Sequence, residues 1–134
     1  EGRVTLADAV TFAIREQKAT HIIDVATLTG AAITALGNEI TAVVSDSDAL
    51  WEKVQRAAGP SCEKVWRLPV DDVLGKALDS KIADMRNSSG RAAGTICGGM
   101  LFRNLRKGCP GCTWILPEPA IRTVTPPALS AQLA

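Results

Sequence analysis

With 134 residues, 46% hydrophobic and 22% charged, and a formal net charge of +1, the chain has the composition of one ordinary globular domain and too little length for two. No run of Lys or Arg is long enough to track phosphates, no apolar stretch approaches a membrane span, and the first residues do not read as a signal peptide. Nucleic acid and membrane are therefore not expected as partners, and the expected compartment is the cytoplasm. Cys62, Cys97, Cys109 and Cys112 are too few and too unevenly spread for a secreted disulfide framework.

Leu6, Val10, Ala13 and Ile14 recur at helical spacing and predict a helix from about Leu6 to Lys18. "HIIDVA" has the length and apolarity of a strand, and "TLTGAAITALG" reads as a turn from its Thr and Gly content. "ITAVVS" is a second buried strand. Asp46 is placed to cap the helix that follows, which carries Ala49, Leu50, Lys53 and Val54 and ends where Gly59-Pro60 forbid continuation. Pro69 to Leu78 is a short, mostly polar connection with room for one helical turn, and "IADMRNSSGR" is a loop. "AAGTICGGMLFRNL" is apolar enough for a buried helix, and Ala92, Ala93, Gly94, Gly98 and Gly99 would let it pack close to a neighbour. The class is α/β, with strands covered by helices on both faces.

At Gly108 the character changes. Pro110, Pro117, Pro119, Pro126 and Pro127 put five prolines between there and Ala134, which predicts an irregular tail with no continuous helix and no central strand. The chain divides accordingly into residues 1–107 and a Pro-rich tail, 108–134.

Three places could carry chemistry. Glu1 and Arg3 set a carboxylate two residues from a guanidinium, with Gly2 letting the backbone pass close to whatever they address. That is either a surface ion pair or a metal ligand beside a group that stabilises an oxyanion. "DVATLTGA" runs from a strand into a polar turn, where open α/β sheets place their sites, but Thr29-Gly30 does not fit a dinucleotide-binding glycine pattern. Cys109 and Cys112 form a C-x-x-C that could be redox-active or half a zinc site, and Cys62 and Cys97 are not its second half. His21, the only histidine, reads as structural.

Taken in order and at these distances, "EGRVTLADAV", "IIDVATLTGA" with "ALG" following, and "ADMRNSSGRAAGTICGGMLF" closely resemble the catalytic domain of the leucine aminopeptidase (cytosol aminopeptidase) family, from residue 1 to about residue 107. The family signature N-T-D-A-E-G-R is entered here at its fifth letter. Glu1 is thus expected to be an interior residue, and the chain a piece of the domain, a partial α-β-α sandwich. The resemblance implies a two-metal exopeptidase that removes amino-terminal residues, leucine among the preferred ones, from peptide substrates. It implies that Glu1 bridges two divalent ions, manganese or zinc, and that Arg3 helps hold a bicarbonate or the developing gem-diolate. It implies that the backbone of Thr27, Leu28 and Gly30 binds the peptide, and that the parent enzyme is a homo-hexamer. The family's other metal ligands and its second catalytic lysine lie upstream of the signature Glu, so this chain alone is expected to be inactive. Two other readings are a small redox or zinc-binding protein built on Cys109 and Cys112, and a non-catalytic interaction module on the peptidase scaffold.

In the family, W-x-H-L-D-x-A-G-T should follow "GGMLFRNLRK" after a few residues, and it does not. A one-base slip of the coding frame between about Arg106 and Pro110 would account for this. In the shifted frame each codon takes one third base and the next two first bases, so Trp114-Ile115 must read as Asp. Cys112-Thr113 can read only as His or Tyr and Glu118-Pro119 only as Thr or Ala, while Trp, Leu, Ala and Gly are permitted at their places. A slip predicts that the tail is disordered or poorly packed and that Cys109-x-x-Cys112 is an accident of translation; a tail well packed against the sheet would refute it.

Overall fold

The structure, a computed structural model, describes residues 2–106 and 108–116. Its elements are α1 (Gly2–Arg15), β1 (Ile22–Ala26), α2 (Ala31–Leu36), β2 (Thr41–Ser45), α3 (Asp48–Ala58), β3 (Val65–Leu68), α4 (Asp72–Gly75), a 3₁₀ turn (Lys76–Leu78), α5 (Gly94–Arg106) and β4 (Gly111–Ile115). The strands form one four-stranded sheet in the order β1-β4-β2-β3. β4 runs parallel to β1 and antiparallel to β2, and β2 is parallel to β3.

Strand alternation divides the core between two faces. Ala42, Val44 and Ile115 point to one face and meet Ala32 of α2, with α5 packed above them. Val43 and Cys112 point to the other and meet Leu50 and Val54 of α3. A third cluster joins Val10 of α1 to Met100, Leu101 and Phe102 of α5. The α/β class and the helices on both faces stand as expected.

α1 starts at Gly2 rather than Leu6 and stops at Arg15 rather than Lys18. Lys18 takes a left-handed φ of 53° and the Ala19 amide reaches back to the Ala13 carbonyl at 3.0 Å, a closure that ends the helix before the apolar spacing does. The segment read as a turn contains α2, whose first bonds run from Ala32 N to Thr29 O and from Ile33 N to Gly30 O, each 3.2 Å. The cap of α3 is Ser47, whose Oγ accepts from Leu50 N at 3.3 Å. Asp46 is engaged elsewhere: its Oδ1 accepts from Gly111 N at 3.0 Å.

The largest correction concerns the region from Gly108. β4 is a central strand, with Cys112, Thr113 and Ile115 at 0% exposure, although a central strand was not expected there. The prolines do not forbid it because Pro110 precedes its first residue and Pro117 follows its last, leaving every ladder amide in place. Poor packing, the expectation attached to a frame slip, therefore fails for residues 111–115. Pro117, Pro119, Pro126, Pro127 and the rest of the tail lie outside the described residues.

β1 is an edge strand, and α3 packs on β2, β3 and β4. Ile23 and Val25 are accordingly 52% and 53% exposed. No described helix is long and apolar enough to cross a membrane.

Candidate active-site cleft

A cleft of about 700 Å³ opens at the carboxyl end of β1, where the chain leaves the sheet for α2. Segments distant in sequence meet on its wall, among them Arg3 on the first turn of α1, the turn Leu28–Gly30, the loop 87–91 and the first half of α5. The Arg3 guanidinium donates to the carbonyl of Asn87, which ties α1 to that loop. Across the cleft, Thr29 Oγ1 donates to Thr95 Oγ1 at 3.3 Å. Arg91 joins Arg3 on the wall, so two cations face the opening, and no acidic side chain is among the described lining residues.

Of the residues singled out in the sequence, Arg3, Leu28 and Gly30 meet at this cleft. Thr27 is exposed and stands outside the lining, and Glu1 lies outside the described residues. The carbonyls of Thr29 and Gly30 already accept the first amides of α2. Nothing in the sequence marks loop 87–91 or Thr95 as part of a site, although "RNSSGR" belongs to a segment that resembles the family. Only the fold, which returns α5 across the end of β1, shows that they share a wall with Arg3.

Cys109 and Cys112 are both free. Cys109 Sγ lies 3.4 Å from the Ala19 carbonyl, whereas Cys112 Sγ donates to Ser45 Oγ at 3.1 Å on the sheet face covered by α3. Burial pushes the Cys112 thiol up, opposite to the lowered value that a reactive or zinc-ligating thiolate requires. Among the described residues no group of three or more His, Cys, Asp or Glu side chains is placed to hold a metal ion.

The family model for the cytosol aminopeptidase family, catalytic domain, matches residues 1–115. The chain belongs to the cytosol aminopeptidase family. It is 49% identical over 102 residues to a probable cytosol aminopeptidase of Clostridium perfringens, covering 76% of this chain and 21% of that protein. Against the probable cytosol aminopeptidase of Syntrophotalea carbinolica it is 48% identical over 115 residues, covering 85% and 22%. A mutant of tomato leucine aminopeptidase superposes with a TM-score of 0.81 at 34% identity, over 86% of this chain and 23% of that one. The chain thus spans about a fifth of the length of these cytosol aminopeptidase relatives. The family match runs through β4 and ends at its last residue.

Proposed function

We infer that the polypeptide, at the length of its relatives, is a cytosolic aminopeptidase that hydrolyses amino-terminal residues, leucine among them, from peptides. The observation that carries this reading is the meeting of Arg3 with the Leu28–Gly30 turn on one cleft, although the two are separated by α1 and β1 in the chain. Arg3 is half-buried and anchored by Asn87, so a cation is held in advance where an oxyanion can develop. Thr27, Leu28 and Gly30 supply the backbone that holds the peptide.

The described residues do not assemble a donor set for metal ions. Glu1, the ligand that the family pattern assigns, would help hold the divalent ions, manganese or zinc, with the remaining donors outside the described residues. When bound, such ions would supply Lewis acidity and an activated water; this chain's own part is to orient the peptide and to place the Arg3 cation, beside which a bicarbonate would sit. The exposed Ile23 and Val25 are the surface that further polypeptide of the same domain would cover, and the assembled enzyme is proposed to be a homo-hexamer.

At the length of its relatives, Glu1→Ala is expected to lower metal content, whereas Arg3→Ala keeps the metals and slows hydrolysis of a leucyl peptide. An oxyanion-stabilising group contributes about 2–4 kcal/mol of barrier, so the loss should be at least tenfold. An unchanged rate in Arg3→Ala removes its role. The 134 residues alone should bind no stoichiometric metal pair and show no turnover; activity lost on Glu1→Ala in that chain would contradict this.

A further inference from the structure

We propose that Thr95 and Gly98 of α5 are positioning residues that set the place of the peptide-binding turn Thr27–Gly30; this rests on the function inferred above. The two residues are three apart and share one helix face, which is turned to the end of β1. Thr95, 5% exposed, makes the hydroxyl contact with Thr29 described above. Gly98 does the complementary work by having no side chain. A Cβ there would lie 3.0 Å from Thr29 Cγ2 and 3.2 Å from Leu28 Cδ2, so Thr29 and Leu28 rest directly on the helix backbone.

Thr29 and Leu28 both line the cleft, and the turn they belong to is outside the sheet ladder. Besides the α2 amides that bond its carbonyls, two things hold it from the α5 side: one hydroxyl pair and one contact that an added methyl would crowd. An alanine at position 98 must push Thr29 and Leu28 outward by a few tenths of an ångström, because those side chains are the nearest atoms. A displaced turn weakens binding of the ground state and the transition state alike, which raises KM and leaves kcat in place.

The test uses the polypeptide at the length of its relatives, with Leu-Gly as substrate, and compares Gly98→Ala, Thr95→Val and Thr95→Ser. The expected result is a KM raised about tenfold in Gly98→Ala and several-fold in Thr95→Val, with kcat within about twofold and recovery in Thr95→Ser, which keeps the hydroxyl. An unchanged KM in both folded variants, or equal behaviour of Thr95→Val and Thr95→Ser, overturns the proposal. Should Gly98→Ala fail to fold, the Thr95 pair decides alone. Amide hydrogen exchange over residues 27–33 gives a reading that needs no activity. Faster exchange there in Thr95→Val, restored in Thr95→Ser and confined to that segment, supports the proposal, and unchanged exchange overturns it. A wild-type enzyme inactive on leucyl peptides refutes the inferred function instead, and the exchange result still decides the positioning role.

Discussion

Helix α5 meets the sheet in two different ways along its length. In its first half the contact is apolar and depends on a missing side chain: a Cβ at Gly99 would lie 2.4 Å from Val44 Cβ. In its last turn the contact is ionic. Arg106, fully buried, lies 3.6 Å from Asp24 and 3.3 Å from Asp46, and its Nη1 donates to Thr113 Oγ1 at 3.5 Å. Thr113 in turn donates to Asp24 Oδ1 at 2.9 Å, yet Asp24 Oδ2 and Arg106 Nε have no hydrogen-bond partner among the described residues. The first kind of contact fixes a distance and ignores pH and salt. The second fixes partners, and its incompletely satisfied charges make it costly to disturb. The cleft residues on α5 belong to the first half, apart from Leu101, and none lies in the ionic last turn.

The coding sequence offers the most drastic way to break this comparison, since a frame slip would replace Gly111 and Thr113, both of which accept from Arg106, while leaving Asp24 and Asp46 in place. The packed β4 meets the refuting condition for residues 111–115, but the rest of the tail lies outside the described residues, and Gly-Cys-Thr-Trp-Ile contains enough β-branched and aromatic residues to fill a strand position on composition alone. The codon constraints are independent of packing, and on them the expected outcome is that the gene spells W-x-H-L-D-x-A-G-T in the shifted frame from codon 110 onward. Any other reading at Thr113-Trp114 or Cys112-Thr113 ends the idea.

Replacing Arg106 comes next in size. Arg106→Met leaves Asp24 buried at 6% exposure without its guanidinium, and removing one partner of a buried pair typically costs about 3–5 kcal/mol. The double change Arg106→Met with Asp24→Leu should recover most of that loss, because apolar groups of similar volume need no partners. Denaturant unfolding of the two variants measures the difference. If the single change were as mild as the double one, the ionic half would be held by packing alone.

Gly99→Ala probes the apolar half. The added methyl would fall within 2.8 Å of three atoms of Val44, and Val44 sits in a central strand that cannot retreat, so the expected loss is about 1–3 kcal/mol. Pairing it with Val44→Ala should return part of the stability by making room. A Gly99→Ala variant as stable as the parent would mean that α5 can lift off the sheet without cost.

The two halves also differ in how well the sequence announces them. The small residues of "AAGTICGG" foretell a close approach, and "ITAVVS" foretells a buried strand, because both properties reside in the segment itself. β4 and β3 have no such local mark. "GCTWI" stands between two prolines, and "VWRL" is too short for a period, so their places in the sheet come from the neighbours that pair with them. The cleft was half legible for the same reason. Arg3 and the Leu28–Gly30 turn belong to motifs, whereas Thr95 and the loop 87–91 become part of the wall only when α5 crosses the end of β1.

The smallest effect expected is a pH dependence confined to the ionic half. Burial raises the Asp24 carboxyl above its usual value of 3.8, and the hydrogen bond from Thr113 and the charge of Arg106 offset this only in part. The folded state therefore keeps the Asp24 proton to higher pH than the unfolded chain does. Between 3.8 and the raised value the folded state binds more protons, so Asp24 lowers stability progressively as pH rises through that window and by a constant amount above it. Asp24→Asn has no proton to lose, and Arg106 keeps Asp46 as a partner in that variant. The stability of the parent minus that of Asp24→Asn should consequently fall as pH is raised from about 4 and then level off, which urea titrations across the acid range can follow. A difference that stays flat, or that rises with pH, would show that the Arg106 charge outweighs burial and holds Asp24 ionised throughout.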